Sequence, residues 1–322
     1  MNTSIDWLLN DTPWAQYRTR LDLLGETERN KDVKAARQAM LDHPQVQALV
    51  KELHKWLGPT LTRHNDATHP LHKLVFLADL GLRATDPGVE PIVDRVLAHQ
   101  AAEGVFQVKV NIPTHFGGTG KDQLAWMLCD APSIVYALVK LGVKDRRVKV
   151  AAKYLASLIR DNGWPCAATP DLGKFHGPGR RSDPCPYANL IALKALAQLR
   201  EWHDDNVCHL GAETLLNLWA QRKAQRPYLF AMGSDFAKLK APLIWYDILH
   251  VTDVLTQFEW LRNDKRLGEM VSIVKAKADD QGRFTPESIW QAWRDWDFGQ
   301  KRTPSAWLTL IARRMLQRGR SD

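Results

Sequence analysis

Residue types that move protons or hold metal ions recur in this chain at one kind of place, at or just before the start of an apolar helical run. His69 and His72, Cys129 and Asp130, Asp183 and Cys185, Tyr246 and Asp247 with His250 one turn on, and Lys301 and Ser305 all stand there. Among them Asp130, Asp183, Cys185, Asp247 and His250 are the candidates for catalysis. Carboxylates and imidazole transfer protons, and a thiolate is a nucleophile or a metal ligand. The place favours such chemistry, because the first turn of a helix leaves N–H groups unpaired and carries the positive end of the helix dipole. The bland alternative is that each aspartate caps its helix and the cysteine packs as a small apolar residue.

Immediately before Asp183, the run Lys174-Phe-His176-Gly-Pro-Gly-Arg180-Arg181 sets four basic side chains on a glycine-containing loop. Arginine meets phosphate oxygens in a bidentate fork, so Lys174, His176, Arg180 and Arg181 are candidates for binding an anionic head group. A solvated basic loop is the competing reading. Tyr187, Trp245, Tyr246 and Trp307, with Trp126 and Phe116, supply aromatic surface for the apolar part of a substrate, and His72 lies beside them in the same set.

These residues are brought together only if the elements carrying them repeat. Aspartates resembling helix starts fall at Asp86, Asp145, Asp204 and Asp264, in steps of 59, 59 and 60, and turn glycines at Gly104, Gly163 and Gly282 keep the same spacing. Apolar helix starts beside proline or an aromatic fall at Pro13-Trp14, Pro70-Leu71, Ala131-Pro132, Pro186-Tyr187, Trp245-Tyr246 and Ala306-Trp307. Six hairpins are expected. In each, an amphipathic outer helix, such as that from Asp145 with Val148, Ala152, Leu155 and Ile159 on one stripe, alternates with an inner helix apolar nearly all round, such as Tyr187 to Leu199. Asp86-Pro87 reads as an N-cap followed by a first-turn proline. No Gly/Ser/Pro linker divides the chain, so one all-α domain over 1–322 is expected, an (α/α)6 toroid. Closure is favoured because a short open array leaves two apolar ends to be capped.

The turns Gln100-Ala-Ala-Glu103-Gly104-Val-Phe106, Asp161-Asn-Gly163-Trp164 and Asp280-Gln-Gly282-Arg-Phe284 resemble those closing the helical hairpins of the terpenoid cyclase and protein prenyltransferase superfamily. The period covers most of the chain and the motif three turns. The resemblance implies a central cavity taking an apolar substrate with an anionic head. Asp183-Pro-Cys185, followed one repeat later by Trp245-Tyr246-Asp247, is similar to the zinc-ligand arrangement of prenyltransferase β subunits. By that likeness Asp183, Cys185 and Asp247 or His250 would hold zinc, although Asp247 stands where the family has histidine. Zinc accepts Cys, His and carboxylate ligands. Neither the Asp-x-Asp-Asp acid of triterpene cyclases nor the Asp-Asp-x-x-Asp magnesium motif is present as such at these helix starts, which disfavours squalene-type cyclisation.

With 45% hydrophobic and 25% charged residues, the chain can bury a sizeable core, and its formal charge of +8 points to an anionic partner. Four cysteines are too few for a disulfide scaffold, and no leader or membrane span is evident, so a soluble cytoplasmic protein is expected. Two other functions stay open: a carbohydrate-active α/α-toroid lyase or hydrolase on acidic sugars, and a non-catalytic basic helical scaffold. Nucleic acid is the less favoured partner, and the sequence leaves the oligomeric state open.

Overall fold

The computed structural model describes residues 3–175, 177, 179–225 and 234–319. Its backbone is all-α apart from one short ribbon. The helices are α1 (Thr3–Leu9), α2 (Pro13–Asp22), α3 (Lys31–Leu41), α4 (Pro44–Leu53), α5 (Pro70–Leu80), α6 (Glu90–Leu97), α7 (Ala131–Lys140), α8 (Arg146–Ser157), α9 (Pro186–Leu196), α10 (Asn206–Ala220), α11 (Arg222–Gln225), α12 (Ser234–Ala237), α13 (Ile248–Leu255), α14 (Lys265–Lys275) and α15 (Ala306–Arg318). The ribbon pairs β1 (Val108–Val110) antiparallel with β2 (Gln123–Ala125), Lys109 facing Leu124. No helix among the described residues is long and apolar enough to cross a membrane.

The repeat organises the helix starts. The apolar helices α2, α5, α7, α9, α13 and α15 begin 57, 61, 55, 62 and 58 residues apart. Four of them carry proline in the first turn, where its missing N–H breaks no hydrogen bond. The start expected at Trp245-Tyr246 lies at Ile248, because Asp247 takes the cap: its Oδ1 accepts the His250 N–H at 2.9 Å. All eleven residues of α9 and all eight of α13 are buried. Outer α8 instead buries only Val148, Ala151, Ala152, Leu155 and Ala156.

Two expected caps are corrected. The aspartate capping α10 is Asp205, not Asp204, with Oδ1 2.9 Å from the Val207 N–H. Asp86 does not start α6. Its carboxylate accepts the Arg83 N–H at 2.8 Å, Gly88 follows in the left-handed region at φ +78°, and the helix begins at Glu90. Asp145 and Asp264 do cap α8 and α14.

The chain divides into two compact units, Met1–Ala48 with Met232–Asp322, and Leu49–Ala231. In the first, α15 packs on both α13 and α2, so the last helix returns to the first hairpin. Arg314 reaches Asp22 on α2 at 3.2 Å and Asp253 on α13 at 3.3 Å, and Arg318 also binds Asp253. In the second, α5, α7 and α9 pack side by side, with α8 against α7 and α9 and α10 against α9.

Within this second unit the Gly163-Trp164 turn is fastened to α9. Trp164 is fully buried, and its indole N–H donates to the Leu155 carbonyl at 2.7 Å. Asn189 accepts the Trp164 N–H at 3.0 Å and donates to the carbonyls of Trp164 and Cys185 at 2.9 and 2.8 Å. A Cβ on Gly163, which has φ +102°, would come within 2.6 Å of Asn189 Oδ1. Glycine is therefore required there twice over, by conformation and by space.

Replacing Asn189 with leucine keeps the volume but strands buried backbone groups on both sides of the turn. Urea unfolding should show a loss of about 2–4 kcal/mol, the size expected for buried polar groups left without partners. A loss under half a kcal/mol would mean that this amide does not hold the turn.

Candidate functional site

Three backbone segments meet at the N-terminal ends of α7 and α9. Strand β2 delivers Trp126–Asp130. Residues 164–169 run beside it, with the Leu128 N–H donating to Ala167 O at 2.8 Å and the Thr169 N–H to Trp126 O at 3.0 Å. On the other side, the Cys185 N–H donates to Trp164 O at 2.8 Å. Each segment carries one cysteine, and the three thiols converge.

Cys129 Sγ lies 3.7 Å from Cys185 Sγ, and Cys166 lies close enough to both to perturb their protonation. Two backbone amides also point at sulfur: Gly177 N–H at 3.0 Å from Cys166 Sγ, and Ala188 N–H, in the first turn of α9, at 3.4 Å from Cys185 Sγ. All are free thiols. Hydrogen bonds from Cys129 and then Cys185 hold the Cys166 thiol far below its usual range against the opposing effect of burial, helped by the Gly177 amide and His64. Cys129 is driven up by its hydrogen bonds to Cys166 and Cys185 and by burial. Cys185 gains from Cys129, but Cys166 and burial push it up. The three titrations are thus linked, and Cys166 is the thiol most readily deprotonated.

Beside the thiols stands an acid–base pair. His64 Nδ1 is 3.1 Å from both carboxylate oxygens of Asp130, which is 1% exposed. Burial lowers the imidazole, but the charge and hydrogen bond of Asp130, with Cys166 adding, raise it on balance. Asp130 occupies the N-cap position of α7 without capping it, since its carboxylate faces His64. Tyr187 is buried with its ring centroid 6.4 Å from that of His64. Burial first, then the negative charge of Asp130, raises its hydroxyl.

His72 and His69 position the segment that carries His64. His72 Nε2 donates to the His64 carbonyl at 2.9 Å and His69 Nε2 to the Pro59 carbonyl at 3.1 Å, while His69 Nδ1 accepts the Leu71 N–H as the cap of α5. The basic loop abuts the thiols through Gly177. Lys174, Arg180 and Arg181 are exposed, and Arg181 donates to the Lys174 carbonyl at 3.0 Å. His176 lies outside the described residues. Asp183 is exposed, and its carboxylate accepts the Arg180 N–H at 2.8 Å within the loop. Phe116, expected on a cavity wall, is 61% exposed.

The other expected site residues belong to the first unit. Asp247 is fully buried and caps α13, and the ring of His250 donates to the Trp245 carbonyl at 2.6 Å. The rings of Trp245 and Tyr246 are 4.7 Å apart. Trp307 is buried, its N–H 3.0 Å from Asp297 Oδ2, and Ser305 caps α15. Among the described residues, no group of three or more His, Cys, Asp or Glu is placed to hold a metal ion. The four residues that the prenyltransferase likeness assigns to zinc are divided between the units, Asp183 and Cys185 in one, Asp247 and His250 in the other.

Cys166 and His64 were not among the sequence candidates, since neither starts a helix. Cys166 follows two residues after the Gly163-Trp164 turn, and that adjacency was the available signal.

No protein-family model and no curated protein matches the sequence. A crystal structure of a protein from Actinoplanes is similar over 98% of this chain and 97% of its own, with 14% identity and a TM-score of 0.45.

Two measurements follow from the charges. Iodoacetamide should label Cys166 at pH 5.5 at least about tenfold faster than an ordinary thiol, which is almost wholly protonated there. Replacing both Cys129 and Cys185 with alanine should move that labelling toward pH 8. Burial holds His72 down to about 4, whereas the unfolded chain protonates near 6.5. The unfolded state therefore binds more protons in between, and stability falls as pH drops from 6.5 toward 4. Between pH 7 and 5 this amounts to about 2 kcal/mol. His69, also lowered by burial, acts in the same direction, whereas His64, raised in the folded state, acts in the opposite direction and above pH 6.5. Urea midpoints of His72→Gln should vary less between pH 7 and 5 than those of the parent.

Proposed function

We propose that this chain is an enzyme of prenyltransferase- or cyclase-like kind, acting on a substrate with an apolar body and an anionic head. The observation that carries the reading is the juxtaposition of the Cys166 thiolate with the His64–Asp130 pair beneath a basic loop. The repeat of helical hairpins, and the return of α15 to α2, support the ring architecture that goes with it.

In this reading Lys174, Arg180 and Arg181 neutralise the head group, and the loop couples that binding to the thiols through the Gly177 amide. Asp130 holds the His64 ring in one orientation and raises its proton affinity, and the imidazolium gives its proton to a leaving oxygen. The Cys166 thiolate faces the electrophilic carbon: a C–S bond forms as the C–O bond breaks and the head group departs. Zinc would be the added cofactor under the prenyltransferase likeness.

Equilibrium binding separates the parts. Farnesyl diphosphate should bind more tightly than either farnesol or inorganic diphosphate, and Arg180→Glu with Arg181→Glu should weaken it about tenfold or more. Asp130→Asn should leave binding intact while abolishing diphosphate release. Equal affinity for farnesyl diphosphate in the parent and the double variant, or no binding of either prenyl compound, would remove the reading.

A further inference from the structure

We propose that Cys166 is a site of reversible oxidation, attacked by a hydroperoxide and then captured as a disulfide by Cys129 or Cys185. The inference rests on the thiol cluster and not on the identity of a substrate, so it stands or falls separately from the prenyl reading.

Geometry comes first. Three free thiols are brought to one place by three segments, with Cys129 and Cys185 at 3.7 Å and Cys166 on the segment that pairs with both of theirs. The antiparallel pairing of Met127 with Ala168, with the Leu128 N–H on Ala167 O, places Cys129 beside the segment that carries Cys166, and the pairing of Pro165 with Pro184 brings Cys185 alongside. Neighbouring antiparallel strands approach within the Cα separations that disulfides span. Were the cysteines merely small apolar filling, nothing would require amides aimed at their sulfurs. Yet Gly177 directs its N–H at Cys166, and a Cβ at residue 177 would sit 3.0 Å from that sulfur.

Access separates Cys129 from Cys166 and Cys185, which are both partly open. Cys129 is 5% exposed, whereas Cys166 is partly open to solvent beside the basic loop, so an oxidant in solution meets Cys166 before Cys129. The chemistry balances. The Cys166 thiolate attacks the distal oxygen of ROOH, the S–O bond forms as the O–O bond breaks, and His64 supplies the proton with which ROH leaves. The Cys166 sulfenic acid is then attacked by a neighbouring thiol. An S–S bond forms, the S–O bond breaks, and the thiol proton leaves with hydroxide as water. Two thiols lose two electrons to one hydroperoxide, and an external dithiol returns them. Proximity of the second thiol also protects Cys166 from over-oxidation.

The experiment uses the full chain, reduced and freed of reductant, then treated with stoichiometric hydrogen peroxide and mapped by non-reducing peptide mass spectrometry. The expected product has lost two hydrogens and links Cys166 to Cys129 or Cys185, with Cys208, buried on α10, unmodified as internal control. Oxidation should run about tenfold or more faster than that of a free thiol at pH 7. The double variant Cys129→Ser/Cys185→Ser should instead accumulate a sulfenic acid that dimedone traps on Cys166. Circular dichroism of each variant separates lost reactivity from lost folding. A Cys129–Cys185 bond forming at the parent's rate in Cys166→Ser would overturn the proposal. So would a rate no faster than a free thiol's, or purified protein carrying stoichiometric metal that shields all three thiols from peroxide. Because farnesyl diphosphate binding is measured on reduced protein, its failure leaves this outcome untouched.

Discussion

The amide of Asn189 holds one short stretch of chain in place, and everything at the site depends on it. Residues 164–169 carry no helix to brace them, yet they lie between Trp126–Asp130 and the start of α9 because Asn189 uses both its oxygen and its nitrogen on the backbone around Trp164. The buried indole of Trp164 adds the apolar anchor and leaves no room on its far side: a Cβ on Gly211 would lie 2.3 Å from the ring. A polar clamp and a large apolar wedge together turn a loop into a positioned element. The Gly-aromatic turn that marks the repeat is thus also the device that sets Cys166 between its two partners.

Charge is handled differently in the two units. Around Asp253 in the first unit, a nearly buried carboxylate meets two arginines from α15, an ion-paired network that joins α2, α13 and α15. In the second unit the buried charges are spread over a thiolate, an imidazole and a carboxylate, with thiol and amide donors around them. The first arrangement fixes structure. The second sets an imidazole against a carboxylate, with thiols beside them, and no arginine among the described residues locks the pair.

How much of this was legible follows from what each signal encodes. Helix starts with proline were readable because the fixed φ and missing N–H of proline leave few other places for it, and Pro13, Pro70 and Pro186 begin helices where expected. Asp86 misled because the same residue type caps isolated turns as readily as helices, and Gly88 lets the chain turn again before α6. The ribbon of β1 and β2 was not foreseen, since three-residue strands are too short to show alternation. Cys166 and His64 escaped for a related reason. They stand on irregular segments whose partners are set by long-range backbone pairing, and periodicity carries no information about that.

One comparison shows what sequence position can and cannot say about chemistry. Asp130 and Asp247 both precede an inner helix by one residue, and the repeat makes them equivalents. Asp247 turns its Oδ1 onto the His250 N–H and is a cap, whereas Asp130 makes no capping bond and gives both oxygens to His64. The difference lies in which neighbour arrives: at α7 the segment pinned by His69 and His72 delivers an imidazole to the carboxylate, and a charged partner gives a stronger hydrogen bond than a neutral amide does. An aspartate at a helix start is therefore structural by default, and it becomes available for proton transfer only where another element competes successfully for it. In this chain that competition is decided by two buried histidines that touch neither the carboxylate nor the thiols through a hydrogen bond of their own.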